Sequence, residues 1–314
     1  MDKQNENHMS RKEFLKRSAS GLLGVGLLGM DFMAPRRSVK TQNQTSPEYR
    51  TLGRTGMRVS VVGFGASRTM EPALVRHAID VGINFIDTGR SYFNGQNETM
   101  VGNILKGLRK NVILQSKMRV RVREGGVHPS QTESEKIHRE MEMKLQQSLK
   151  ALQTDYIDVM LLHDVSSTAV LHHEAIVTFL GEAKRKGQIR ACGFSCHENQ
   201  IEIVREVNEK NFYDTMMVTF NHKGSYVHSL TGNYSEWDQP ALEKELQKAA
   251  ENNLGIVAMK TCSAGPCSLD GESKPSYEAA LRWIRNHSFI HSMAVAMANF
   301  DEIEENVQAM FPSS

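Results

Sequence analysis

The chain has 314 residues, 39% hydrophobic and 24% charged, a globular composition with enough apolar side chain for a sizeable core. Its 38 Lys/Arg and 36 Asp/Glu leave a net charge of +2, which excludes a chain-wide attraction to nucleic acid or anionic lipid. Four cysteines are too few for a disulfide scaffold, and none forms the C-x-x-C pattern of a zinc or iron–sulfur centre, so no metal site is expected.

The basic excess is local. Residues 1–47 hold eight Lys/Arg against four Asp/Glu, so residues 48–314 hold 30 against 32, about −2. Arg11, Lys12, Lys16 and Arg17 form a basic block, and residues 18–30 follow without a charge. With the small residue Ala34 behind them, these are the parts of a secretory signal. The order Ser10, Arg11, Lys12, Glu13, Phe14, Leu15, Lys16 resembles a twin-arginine signal, with lysine at the second arginine. Gly21, Gly24, Gly26 and Gly29 keep the apolar run mild, which suits that route, and no cysteine follows it to take a lipid. The expectation is an export signal over 1–34, a polar linker over 35–47 and a folded domain over 48–314. The mature chain is then periplasmic, with the export machinery as a partner; without a working signal it is cytoplasmic. No apolar run approaches the ~20 residues of a mature membrane span.

Beyond the linker, Gly53 and Gly56 between short β-prone runs predict a hairpin over 49–60. Apolar runs then predict strands over 59–65, 84–87, 112–117, 156–163, 189–195, 215–220, 255–260 and 293–298. Helices are predicted over 72–81, 98–105, 137–152, 175–185, 200–208, 240–252, 277–286 and 301–310. Ile137, Met141, Leu145, Leu149 and Leu152 show the helical stripe most plainly. Continuously apolar strands need both faces covered. Eight strand–helix units at this length predict an α/β fold, a (β/α)8 TIM barrel behind a short N-terminal β-hairpin. The runner-up is a doubly wound open sheet, but Gly63 and Gly65 do not complete a G-x-G-x-x-G turn. Residues 221–237 read as a long loop, either a substrate wall or plain surface.

In such a barrel, chemistry sits at the C-terminal ends of strands. Successive strands end at Asp87, Lys117 and His163, and Tyr92 lies five residues past Asp87 in the next loop. Each residue alone is bland; together they are an acid, a lysine, a histidine and a tyrosine at one mouth.

Residues 82–92, with Asp87 and Tyr92 five apart, resemble the aldo/keto reductase signature. Lys117 and the Leu161, Leu162, His163 run match that family's tetrad; residues 187–195 resemble its fifth strand, and residues 302–307 its last helix. The segment after Tyr92, through Asn97 and Glu98, resembles a bacterial branch of predicted oxidoreductases. The resemblance implies reversible reduction of an aldehyde or ketone, a sugar or polyol among them, with NADP or NAD as cofactor. It implies Tyr92 as general acid/base, Lys117 and Asp87 tuning it, and His163 positioning the carbonyl. A lysine cation favours the phenolate and lowers the tyrosine's usual ~10. Implied cofactor contacts are Ser195, Met217, Met259, Lys260, Asn299, Glu305 and Asn306.

This chain departs from the family in places. Cys196 and His197 follow Ser195 where the family has an asparagine that grips the nicotinamide amide. Met217 and Met259 stand where it has a glutamine and an aromatic ring, and residues 297–302 carry no base for a 2′-phosphate. The alternative left open is a slow or non-catalytic nicotinamide-binding redox sensor or partner subunit. Export would permit a disulfide between Cys262 and Cys267; idle thiols are the other reading.

Overall fold

Chain order gives the architecture directly. A hairpin of β1 (Tyr49–Thr51) and β2 (Arg58–Ser60) comes first, followed by β3 (Val62–Gly65), α1 (Pro72–Asp80), β4 (Phe85–Asp87) and α2 (Gln96–Ile104). Next are β5 (Ile113–Met118), α3 (Gln131–Leu152), β6 (Ile157–Leu162), the single turn α4 (Thr168–Leu171) and α5 (Glu174–Arg185). Then come β7 (Ile189–Cys196), α6 (Gln200–Glu209), β8 (Thr215–Thr219) and a second hairpin of β9 (Ser225–Val227) and β10 (Tyr234–Glu236). The chain continues with α7 (Gln239–Glu251), β11 (Gly255–Met259), α8 (Tyr277–Arg285), β12 (Ser292–Ala296) and α9 (Phe300–Gln308). This computed structural model describes residues 47–122, 129–228 and 232–311; the expected export signal and all of the linker but Pro47 lie outside them.

Strands β3, β4, β5, β6, β7, β8, β11 and β12 pair in parallel in that order and close into a barrel. Closure overturns the open-sheet alternative. Alternation along each strand feeds two apolar layers. Val159 and Leu161 of β6, Met217 of β8 and Val257 of β11 fill the interior. Met160, Leu162, Met216 and Ile256 face the outer helices. Burial on both faces is why these strands read as unbroken apolar runs.

The helices dock by their apolar stripes. In α3, Ile137, Met141, Leu145, Leu149 and Leu152 are all buried. Its start is set by Ser130 Oγ, which accepts from Glu133 N at 3.2 Å, and its end by Gln153 in the left-handed region. Each large apolar side chain buried this way contributes about 1.5–3 kcal/mol.

The first hairpin closes the bottom of the barrel. Leu52, Met57 and Val59 belong to the interior cluster beside Phe85 and Val257. Entry is tight: a Cβ on Gly255 would lie 2.7 Å from Leu52 Cγ, and one on Gly53 (φ +49°) 2.3 Å from Gly255 N. Only glycine lets the two backbones meet there.

Two expected elements are corrected. The run 59–65 is not one strand: residues up to Ser60 pair antiparallel with β1, whereas Val62–Gly65 pair in parallel with β12 and β4. The chain passes from plug to wall at Val61, and apolarity does not reveal the switch because both sides are buried. Residues 221–237 are not a plain loop, since they hold the β9–β10 hairpin. Among the described residues no helix is long and apolar enough to cross a membrane.

Candidate active site

At the C-terminal end of the barrel, the loop after β4 is stitched to β5. Thr88 N donates to Gln115 O at 2.9 Å and Arg90 N to Lys117 O at 3.0 Å. Tyr92 N then donates to Gly89 O at 3.0 Å, and Phe93 and Asn94 take positive φ (47° and 53°) to turn the chain into α2. This brings the Tyr92 phenol onto Lys117.

Lys117 is buried, and its three ammonium protons meet three acceptors. They are Asp87 Oδ2 at 2.7 Å, Thr88 O at 2.8 Å and Tyr92 Oη at 2.9 Å. Burial opposes the Lys117 charge, but Asp87 and then Tyr92 outweigh it, and the ammonium is held above its usual range. Asp87 is anchored a second time by Gln115 Nε2 at 2.8 Å. Because Tyr92 Oη accepts from Lys117, its own proton is free to donate into the cavity. Burial pushes the Tyr92 phenol up; Lys117 pulls it back only in part. Near neutral pH it is therefore the protonated acid.

His163 follows β6 and stands edge-on to Tyr92, with ring centroids 5.8 Å apart. Ser91 Oγ lies 3.2 Å from its Nδ1. With Ser91 donating, Nε2 carries the ring proton. Burial, and then the Lys117 and Arg119 charges, push His163 down from 6.5 to about 2, so the imidazole is neutral.

Two more histidines behave alike: burial first lowers His197 and His291 to about 4. Between those values and 6.5 the unfolded chain binds protons that the folded chain does not. Stability is thus present above pH 6.5 and is lost as pH falls. Each group contributes at most about 1.4 kcal/mol per pH unit. His163→Gln is expected to flatten the dependence of urea-unfolding free energy on pH between 7 and 5. An unchanged slope would count against a buried neutral imidazole.

A cavity of about 470 Å³ opens over these groups. Of the residues expected to hold a cofactor, Ser195, Met217, Met259, Lys260, Glu305 and Asn306 line it. Asn299 lies outside the lining. Its Oδ1 accepts from Glu302 N at 2.8 Å, capping α9, and its Nδ2 donates to Glu302 Oε1 at 2.9 Å, so the side chain is taken up at the helix end. Ser195 Oγ accepts from Asp164 N at 3.0 Å. Met217 Sδ lies 3.5 Å from Gln115 Nε2, tying the floor of the cavity to the Asp87 anchor. Cys196 points away from the mouth into the outer core, and His197 lines the cavity in its place. Cys262 and Cys267 are free thiols.

Sequence reasoning missed several participants. Arg68, in the loop after β3, lines the cavity with Lys260 and lowers that lysine's pKa, after burial. Gln115 stands two residues before Lys117, on the same inward face, and that spacing could have flagged it. Asn97 and Glu98 support the site from below. Asn97 Nδ2 donates to Ala66 O and Thr69 O at 3.0 and 2.9 Å, while Glu98 accepts from Arg90 at 2.5 Å and Ser116 at 2.7 Å.

A phenol steadied by an ammonium and a carboxylate, beside a neutral imidazole at the mouth of a parallel barrel, is a proton-handling site suited to interconverting carbonyls and alcohols. Residues 65–274 match the Aldo/keto reductase family, and the chain belongs to that family of oxidoreductases. It is similar to L-galactose dehydrogenase of Arabidopsis thaliana, 28% identical over 305 residues that cover 85% of this chain and 89% of that protein. Among solved structures, an aldo-keto reductase from Bacillus halodurans in its holo form superposes with a TM-score of 0.66 at 22% identity, covering 85% of this chain and 92% of that one. The aldo/keto reductase of Klebsiella pneumoniae in complex with NADP and acetate superposes at 0.60 and 21% identity, covering 84% and 90%. Both likenesses show the barrel fold.

Proposed function

We propose that this chain reversibly reduces small aldehydes or ketones with a nicotinamide dinucleotide, and that sugars and polyols are within its substrate class. The observation that carries the reading is the saturated Lys117 ammonium, which leaves the Tyr92 proton directed to a ligand. The cavity wall suits a dinucleotide. Arg68 and Lys260 line it, and among the described residues neither is within ion-pair distance of a carboxylate, which suits a diphosphate. Ser195, Met217 and Met259 would flank the ring end, and Glu305 and Asn306 the adenosine end.

When bound, the reduced dinucleotide supplies a hydride to the carbonyl carbon. The protein's own groups handle the oxygen. His163 Nε2–H donates a hydrogen bond to it and fixes its direction. Tyr92 Oη gives it a proton, and the resulting phenolate is held by the Lys117 charge. Asp87 keeps that charge in a buried place. The name of the plant relative, a sugar dehydrogenase, supports a polyhydroxylated substrate. The test is carbonyl-dependent oxidation of reduced dinucleotide by the purified protein across aldoses, ketoses and simple aldehydes, and its loss in Tyr92→Phe. No turnover with any of them would overturn the reading.

Residues 48–314 then form the catalytic barrel, and residues 1–34 direct export. The supporting feature is the basic block before a glycine-rich apolar run. The mature chain is expected to begin within residues 31–47 and to lie in the periplasm. N-terminal sequencing from native cells checks this, and an intact Met1 in the cytoplasmic fraction would overturn it.

A further inference from the structure

We infer that the cavity selects NAD over NADP and that Glu302, backed by Glu305, enforces the choice; this rests on the dinucleotide reading above. The two dinucleotides differ by one group, a 2′-phosphate on the adenosine ribose. With the nicotinamide beside Tyr92 and the diphosphate at Arg68 and Lys260, the wall that remains for the adenosine is the first turns of α9. Glu302, Glu305 and Asn306 line the cavity there.

A helix N-terminus normally welcomes an anion, because its first N–H groups lack partners and its dipole end is positive. In α9 the start is capped by Asn299 and carries acids. Glu302 Oε2 accepts from Ala298 N at 2.8 Å, and Glu302 Oε1 accepts from Asn299 Nδ2 at 2.9 Å. Asn299 Oδ1 in turn accepts from Glu302 N at 2.8 Å. The chain's own carboxylate thus stands at the helix start, tied to Ala298 and Asn299. Asp301 adds a second acid to the same turn. Among the described residues no Lys or Arg forms an ion pair with Glu302 or Glu305.

A 2′-phosphate carries about −1.5 to −2 charges near neutral pH. Set here, it meets the Glu302 and Glu305 carboxylates. A 2′-hydroxyl in the same place donates to a carboxylate, the chemistry by which an acidic side chain reads an unphosphorylated ribose. The field of these acids reaches the cavity wall: burial pushes the neighbouring Cys262 thiol up to about 11, and Glu305 and Glu302 add to the rise. Arg68 and Lys260 do not reverse the selection, because the diphosphate they face is common to both dinucleotides.

The experiment is equilibrium titration of the full chain with NADH and with NADPH, read by nicotinamide fluorescence. NADH is expected to bind at least about tenfold more tightly. Glu302→Gln removes the charge and keeps an acceptor for the cap, and is expected to tighten NADPH about fivefold or more while weakening NADH about twofold to fivefold, as the ribose hydroxyl trades a carboxylate for an amide oxygen. Glu305→Gln, which touches no capping hydrogen bond, is expected to shift the ratio in the same direction and covers the case in which the first variant frays α9. NADPH binding as tightly as NADH in the unaltered protein, or both variants leaving NADPH affinity unchanged, would overturn the inference alone. Binding of neither dinucleotide would overturn the reading it rests on as well.

Discussion

Tyr92→Phe is expected to lower kcat for carbonyl reduction by about 10²–10⁴-fold, the range that a positioned general acid contributes. The protons around Lys117 single out Tyr92. Its three N–H bonds end on Asp87, Thr88 O and Tyr92 Oη, so the ammonium has none left for a ligand. His163 is neutral, and its ring proton serves as a hydrogen-bond donor rather than as an acid to be given away. Tyr92 remains as the group that can transfer a proton. Burial keeps its phenol protonated through neutral pH, so reduction should stay level there and decline only under alkaline conditions. Alcohol oxidation, which needs the phenolate, should rise with pH over the same interval. Phenylalanine fills nearly the same volume, so unfolding midpoint and dinucleotide affinity are expected to stay near those of the parent. A variant that keeps a third of the parent rate would remove Tyr92 from the role.

Much of the fold was legible because burial on both sheet faces writes itself as continuous apolar runs, as in residues 157–162. Asp87, Lys117 and His163 were legible because each lies at or beside the end of such a run. The losses have physical causes. The break at Val61 is silent because plug and wall are equally apolar. Asn299 is ambiguous in the sequence because a polar residue before a helix serves as readily for a cap as for a ligand, and the structure shows its side chain capping α9. Arg68 gave no sign, since a loop residue carries no periodicity that says which way it faces. Asn97 and Glu98 were visible as a motif, but their work is to tie the loops after β3 and β4 together. That depends on residues as distant as Ala66 and Ser116.

Lys117→Met is expected to abolish reduction to the extent of Tyr92→Phe and also to destabilise the fold by about 3–5 kcal/mol, the usual cost of removing one partner of a buried ion pair. Lys117 and Asp87 are both buried, 2.6 Å apart at their closest atoms. Without the ammonium, the carboxylate keeps only the Gln115 amide as a side-chain donor, and Thr88 O and Tyr92 Oη each lose theirs. Combining Lys117→Met with Asp87→Asn separates the two effects. The amide left by the second change carries no charge, so most of the lost stability should return in urea unfolding. Activity should not return, because the phenolate formed when Tyr92 gives up its proton would still lack a cation. If the double variant recovered activity along with stability, Lys117 would be a structural member of the barrel wall rather than the charge that tunes Tyr92. If the single variant lost activity with its stability intact, the pair would not be the buried, mutually dependent unit that these distances describe.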